Sequence, residues 1–250
     1  MQFTWQVEQT DIDKIQGFVK QQEANPFVRA RASRNLSESK PLVDKAEFWR
    51  QMVGMRLTSV QRSGPESHVA RFLRKDPFPL AFAAVIEQDH VQTFIAKALK
   101  AHGGIRFTDR IAEDLSRNYQ LLQGGGWNTA LAKVNQLTSL QGPETERAIA
   151  RYVQGLLVGF GPKQARNFLQ ALGLTRYEIP IDSRIAKWLA AFGFPMRLSA
   201  STLADADYYE FVLDGILALC KAADVFPCIL DAAIFSSFDG DGWTEENTVY

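Results

Sequence analysis

Residues 157–165 read LVGFGPKQA. Two glycines, a proline and a lysine interrupt sequence that carries helical periodicity on both sides. Gly159 and Gly161 permit backbone torsions that a side chain would penalise. Pro162 suits the first position of a new helix, where its missing N–H costs nothing. The stretch therefore predicts a helix, a tight hairpin and a second helix opening at Pro162, with Lys163 just inside it. Open backbone N–H groups at such a turn form an anion site, reinforced by the helix dipole, and a DNA phosphate would suit it. A glycine-capped connector between two helices reads the same way. The turn alone leaves both open.

The chain continues as GPKQARNFLQALGLTRYEIPIDSRIAKWL over residues 161–189. Asp182 reads as the cap of a helix that begins at Ser183. The extended Ile179-Pro180-Ile181 segment that leads into it is an unusual entry to an exposed helix. It makes sense if the carboxylate faces a cleft.

The rest of the chain sets bounds on what that cleft can be. With 250 residues there is room for one large domain or two small lobes around a real core. Hydrophobic residues make up 46% and charged residues 22%, as in ordinary globular proteins. Lys plus Arg (28) equals Asp plus Glu (28), which argues against a protein that coats DNA non-specifically. It leaves room for an enzyme that gathers positive charge on one face. Cys220 and Cys228 are too few for a structural zinc or an iron–sulfur cluster, and they read as buried free thiols in a reducing compartment. His68, His90 and His102 do not cluster in sequence, so no metal site and no cofactor is expected. No basic segment followed by an apolar stretch opens the chain, and no apolar run approaches the ~18 residues of a membrane span. A cytoplasmic monomer, independent of membranes, is the expectation.

Helical patterning recurs over residues 43–57, 85–99, 111–122, 127–137, 143–157, 164–171, 183–192, 208–222 and 228–235. Strand and hairpin signals are scarce. These features predict an all-α fold. Gly124-Gly125-Gly126 acts as a breaker, read either as a phosphate nest or as a flexible connection. Residues 25–40 carry Arg29, Arg31 and Arg34 among serines and asparagines. They read as a solvated linker or as a basic strip that meets phosphates.

At this point the chain resembles the helix-hairpin-helix (HhH-GPD) DNA glycosylase superfamily. The elements that carry the likeness are the hairpin Val158-Gly159-Phe160-Gly161, Lys163 two residues later, and the Ile179-Pro180-Ile181-Asp182 entry nearly twenty residues on. The firm likeness spans residues 155–191. Without a cysteine cluster or an evident β-domain, the chain is most similar to the compact second family of 8-oxoguanine glycosylases and its archaeal relatives. FWRQMVGMRLTSVQRSG (residues 48–64) and LDAAIF (residues 230–235) resemble an early helix-and-loop and the last core helix of that group. The resemblance implies a single two-lobed helical unit with a cleft between lobes. Residues 1–60 and 195–250 are expected to form much of one lobe, and residues 65–190, with the hairpin, the other.

It also implies a partner, double-stranded DNA containing a modified base, and a reaction. A carboxylate near the sugar stabilises the positive charge that grows as the N-glycosidic bond breaks, and Asp182 is the candidate. A neutral amine can attack the same carbon and form a Schiff base that permits strand cleavage, an AP-lyase step. Lys163 is the candidate, provided burial lowers its pKa against the opposing pull of Asp182. Candidates for holding DNA are Gly159, Gly161, Pro162, Gln61, Arg62 and Arg184. Phe235, Phe238 and Trp243 are candidates for the base pocket or wedge that flipping requires. The second 8-oxoguanine family ends in a lysine that helps recognise the purine, whereas this chain ends Asn247-Thr248-Val249-Tyr250. An 8-oxoguanine-type lesion is the default substrate. A hypermodified phage cytosine, such as glucosylated hydroxymethylcytosine in anti-phage defence, is the alternative. A non-catalytic helix-hairpin-helix DNA-binding module is the reading from another class.

Overall fold

A computed structural model describes residues 4–59, 61, 63–238 and 242–244. Among these the structure is all-helical, without a strand. The helices are α1 (Gln9–Gln22), α2 (Pro26–Asn35), α3 (Lys45–Leu57), α4 (His68–Leu73), α5 (Phe82–Ile86), α6 (Val91–His102), α7 (Thr108–Leu121), α8 (Trp127–Val134), α9 (Pro143–Leu156), α10 (Pro162–Ala171), α11 (Ser183–Phe192), α12 (Ala206–Ala222) and α13 (Pro227–Ser237).

The helix starts follow local chemistry. Asn25, Asp44 and Asp205 each accept a backbone N–H from the first turn of α2, α3 and α12, at 2.9, 2.8 and 2.8 Å. Proline opens α2, α9, α10 and α13. Residues 25–40, read from sequence as linker-like, contain α2. Its apolar Phe27 and Val28 are buried, and Arg31 turns inward to pair with Asp231 at 2.7 Å. A short helix with one apolar face escapes notice when arginines and serines dominate its composition. The triple glycine breaks the helix as expected: between α7 and α8 the chain kinks within Leu122–Gly126, where Gly125 takes a non-helical φ of 114° and ψ of −3°.

Apolar side chains collect in two main cores. The middle core runs from Val43 to Leu174 and draws on α3 to α10, with Phe48, Trp49, Phe72 and Phe168 fully buried. Phe48 and Phe168 meet edge to face at 4.8 Å, and burying each such ring is worth roughly 1.5–3 kcal/mol. The terminal core joins Ile15 of α1 to residues 179–234, including Ile185, Leu189, Tyr209 and Ile216. A small cluster of Phe27, Val28, Ala232, Ala233 and Trp243 lies where α2 meets α13. Thus α3 is packed with the middle of the chain, and α11 with its ends. The residues of α10 enter the middle core, whereas Ile179, Ile181 and α11 enter the terminal one. Cys220 and Cys228 are buried free thiols, both pushed upward by burial, Cys228 to about 12.

Candidate active site

The hairpin lies between α9 and α10 and is held from three sides. Asn118 on α7 makes two bonds to Val158, accepting its N–H at 2.7 Å and donating to its carbonyl at 3.1 Å. Arg56, at the end of α3, donates to the Gly159 carbonyl at 3.0 Å and forms a buried ion pair with Asp114 of α7. Gln164 donates to the Met55 carbonyl at 3.0 Å. The polar residues that grip the turn are thus scattered over α3, α7 and α10. The sequence offered one signal for them, polar side chains on otherwise apolar helix faces.

The two glycines prove to have different reasons. Gly159 sits at φ 79°, and a Cβ there would come within 2.8 Å of both Arg56 Cζ and Asp114 Oδ2. Glycine is required by torsion and by space. Gly161 has φ −91° and ψ −173°, extended backbone that any residue adopts, and a Cβ there meets nothing within 4 Å. The expectation that both glycines are needed for their torsions is therefore corrected for Gly161. It is exposed at the start of α10, where no side-chain cap serves the helix among the described residues.

Lys163 follows as the second residue of α10 and is half-buried. Burial pushes its amine below the ordinary lysine value; Asp182 pulls in the opposite direction, and Arg184 adds to the lowering. Lys163 and Asp182 thus lie within electrostatic reach of each other although they come from different helices. Asp182 caps α11 as expected, with Oδ1 accepting the N–H groups of Arg184 at 2.8 Å and Ile185 at 3.0 Å. Those two bonds fix the carboxylate's orientation.

Arg184 places its guanidinium 4.1 Å from the ring centre of Phe235. Phe235 is partly buried and stacks on Phe27 at 4.9 Å. Trp243 is buried in the same aromatic cluster, 4.6 Å from Phe27, whereas Phe238 is exposed. One turn before Phe235, Asp231 is buried against Arg31. Burial pushes Asp231 up to about 6, opposed by Arg31 and assisted by Asp182.

Gln61 donates to the Leu57 carbonyl and accepts the Arg106 N–H at 2.9 Å, so it ties the loop after α3 to the loop before α7. Arg62 lies outside the described residues. The second loop ends in a residue that sequence reasoning did not single out. Phe107 is 49% exposed, in the left-handed region at φ 58° and ψ 33°, with the Arg106 guanidinium 4.9 Å from its ring centre. A bulky residue rarely adopts that torsion. Phe107 stands at the start of α7, the helix whose Asp114 and Asn118 grip the hairpin. The sequence signal was an aromatic after Gly103-Gly104-Ile105-Arg106. Among the described residues no group of three His, Cys, Asp or Glu side chains could hold a metal ion, and no helix is long and apolar enough to cross a membrane.

Compared with solved structures, the chain aligns with the 8-oxoguanine DNA glycosylase of Thermotoga maritima over 90% of its own length and 95% of that enzyme's. The TM-score is 0.62. The chain has the helix-hairpin-helix glycosylase fold. Sequence identity between the two is 14%, so the likeness is one of backbone architecture. No protein-family model matches the chain, and no curated protein matches it in sequence.

Proposed function

We propose that this protein is a DNA glycosylase that flips a modified base out of duplex DNA and cuts its N-glycosidic bond. The observation that carries the proposal is the pairing of a half-buried lysine, its amine lowered by burial, with a helix-capping aspartate within electrostatic reach. The glycosylase fold supports the same reading.

In this reading the start of α10 holds a backbone phosphate. The exposed Gly161 lets the strand approach closely, and the N–H groups of the first turn meet the anion. Arg184 adds positive charge beside the site, and Gln61 shapes the neighbouring loop. Phe107 fills the space that the departing base leaves in the stack, because an exposed aromatic on a stiff turn suits a wedge. Phe235 lines the receiving side.

Lys163, neutral, then attacks C1′ of the nucleotide. The bond to the base breaks as the C1′–N bond forms, and the base leaves with the bonding electrons. Asp182 stabilises the positive charge spread over the sugar. Loss of the lysine proton and opening of the sugar give a Schiff base, from which β-elimination cuts the strand. Both steps use the chain's own side chains, without metal or cofactor. The base named for the Thermotoga enzyme, 8-oxoguanine, is the first substrate to test. A mass-spectrometric survey of bases released from oxidised, alkylated and phage DNA tests the alternatives, hypermodified cytosine included.

Borohydride trapping on duplex DNA with an abasic site tests the mechanism. A covalent adduct is expected with the wild type and none with Lys163→Gln. Asp182→Asn keeps the cap, because asparagine also accepts backbone N–H groups, yet should lower excision by at least about a hundredfold. A wild type that never traps and releases no base would leave a DNA-binding module without chemistry.

A further inference from the structure

Lys163 is rooted in the middle core and Asp182 in the terminal one, so something must fix their separation. The chain between α10 and α11 runs as a non-helical strap over residues 172–182, and its polar fastenings are almost all buried. Glu146 of α9 accepts the backbone N–H groups of Arg176, Tyr177 and Glu178, at 2.8, 2.8 and 3.0 Å. Glu178 itself is fully buried and receives Arg147 at 3.0 Å and Arg166 at 2.6 Å. At the far end the Tyr209 hydroxyl accepts the Ile181 N–H at 2.6 Å and donates to the Ile179 carbonyl at 2.9 Å. Tyr209 thus grips the residues on both sides of Pro180, and Ile181 is the residue before Asp182.

Arg166 links the two ends. Its side chain is wholly buried on α10, one turn beyond Lys163. Besides Glu178 it donates to the Pro162 carbonyl at 3.1 Å and to Glu210 at 3.3 Å, and its guanidinium lies 4.6 Å from the ring centre of Tyr209. Pro162 is the residue before Lys163. One buried cation therefore contacts the backbone beside the amine and the ring that holds the backbone beside the carboxylate. A buried, multiply paired arginine is weak evidence for stability, because an apolar side chain of similar volume often serves as well. What Arg166 does set is geometry, because its bonds reach both ends of the strap.

We infer that Tyr209 and Arg166 are positioning residues, which hold the Asp182 carboxylate at a fixed place relative to the Lys163 amine without touching DNA. The inference rests on the glycosylase reading for its consequence and on the hydrogen-bond pattern for its content. A shift of about 1 Å in a reacting group can lower a rate by about a hundredfold. The effect belongs on the chemical step, with binding spared.

The test is Tyr209→Phe, which keeps the ring on Arg166 and removes only the hydroxyl, with Arg166→Lys beside it. Single-turnover borohydride trapping on abasic-site duplex is measured together with affinity for the same duplex carrying an uncleavable abasic analogue. We expect trapping 10- to 100-fold slower in Tyr209→Phe, affinity within twofold, and an unchanged helical circular dichroism spectrum. A trapping rate within twofold of wild type overturns the inference. So does a parallel loss of rate, affinity and helical signal, which would make the pair merely structural. If the wild type itself neither traps nor excises, the glycosylase reading has failed, and the inference is judged on the free protein. There the pH profile of Lys163 modification by formaldehyde and borohydride is followed by mass spectrometry. Freed from Asp182, the amine of Tyr209→Phe should lose its proton at lower pH than in the wild type. Coincident profiles overturn the inference.

Discussion

Gly159 and Gly161 look alike in sequence, and substituting each separates what the turn needs for folding from what it offers to DNA. At Gly159 an added Cβ faces two penalties. A φ of 79° costs an alanine about 1–2 kcal/mol. The Cβ would also press within 2.8 Å of Arg56 Cζ and Asp114 Oδ2, and partial opening of that buried pair raises the total to about 2–4 kcal/mol. For a chain of this size such a loss lowers Tm by roughly 5–15 °C. At Gly161 the backbone is extended and the Cβ meets nothing, so Gly161→Val loses only helix-capping preference, about 1 kcal/mol or less. If a phosphate rests there, the isopropyl group keeps it away. Duplex affinity should then fall by at least tenfold, about 1.4 kcal/mol. Differential scanning fluorimetry and fluorescence anisotropy with duplex DNA at one fixed salt concentration read the two effects. A Gly161→Val protein that binds duplex like the wild type, or that melts as early as Gly159→Ala, would refute the reasoning.

Three further outcomes follow from the same geometry. Phe107→Ala should leave Tm nearly unchanged, since the ring is half exposed, and slow single-turnover excision by about tenfold or more; equal rates would remove the wedge role. The trapping rate should rise with pH and level off below the ~10.4 of an ordinary lysine, because burial enlarges the neutral fraction of Lys163; an inflection at the ordinary value would contradict this. Glu146 is pushed up to about 7 by burial, against the three N–H groups it accepts, so between about pH 4.3 and 7 the folded chain holds a proton that the unfolded chain has released. Stability should fall as pH rises through that window, by at most about 4 kcal/mol from this group, and Glu146→Gln should flatten the slope in urea titrations.

The features written in local order were legible in the sequence. The helix start at Pro162, the cap at Asp182, the helix over 183–192 and the free buried cysteines follow from neighbours in the chain, and so does the all-helical class. What escaped depends on partners far apart in sequence. The grip on the hairpin uses Arg56, Asp114 and Asn118, which lie 40 to 103 residues from the groups they bind. The reading of residues 25–40 as a linker failed because the worth of Arg31 comes from Asp231, 200 residues away. Phe107 was invisible as a candidate because exposure and a positive φ belong to the folded backbone. Gly161 shows the reverse error: a glycine in a turn invites a torsional explanation, and here the backbone is extended with open space beside it.

Lysine and carboxylate belong to separately packed bodies, joined by the strap of residues 172–182 and by the buried Arg166. Grip and chemistry are consequently divisible. The hairpin's direct fastenings, Asn118, Arg56 and Gln164, come from the middle of the chain, so any hold of the turn on a duplex should outlast mild disturbance of the terminal core. The proposed reaction should not, because its competence would reside in a spacing that neither body contains. Loss of chemistry with retained grip would turn such a protein from an excising enzyme into a marker that sits on DNA.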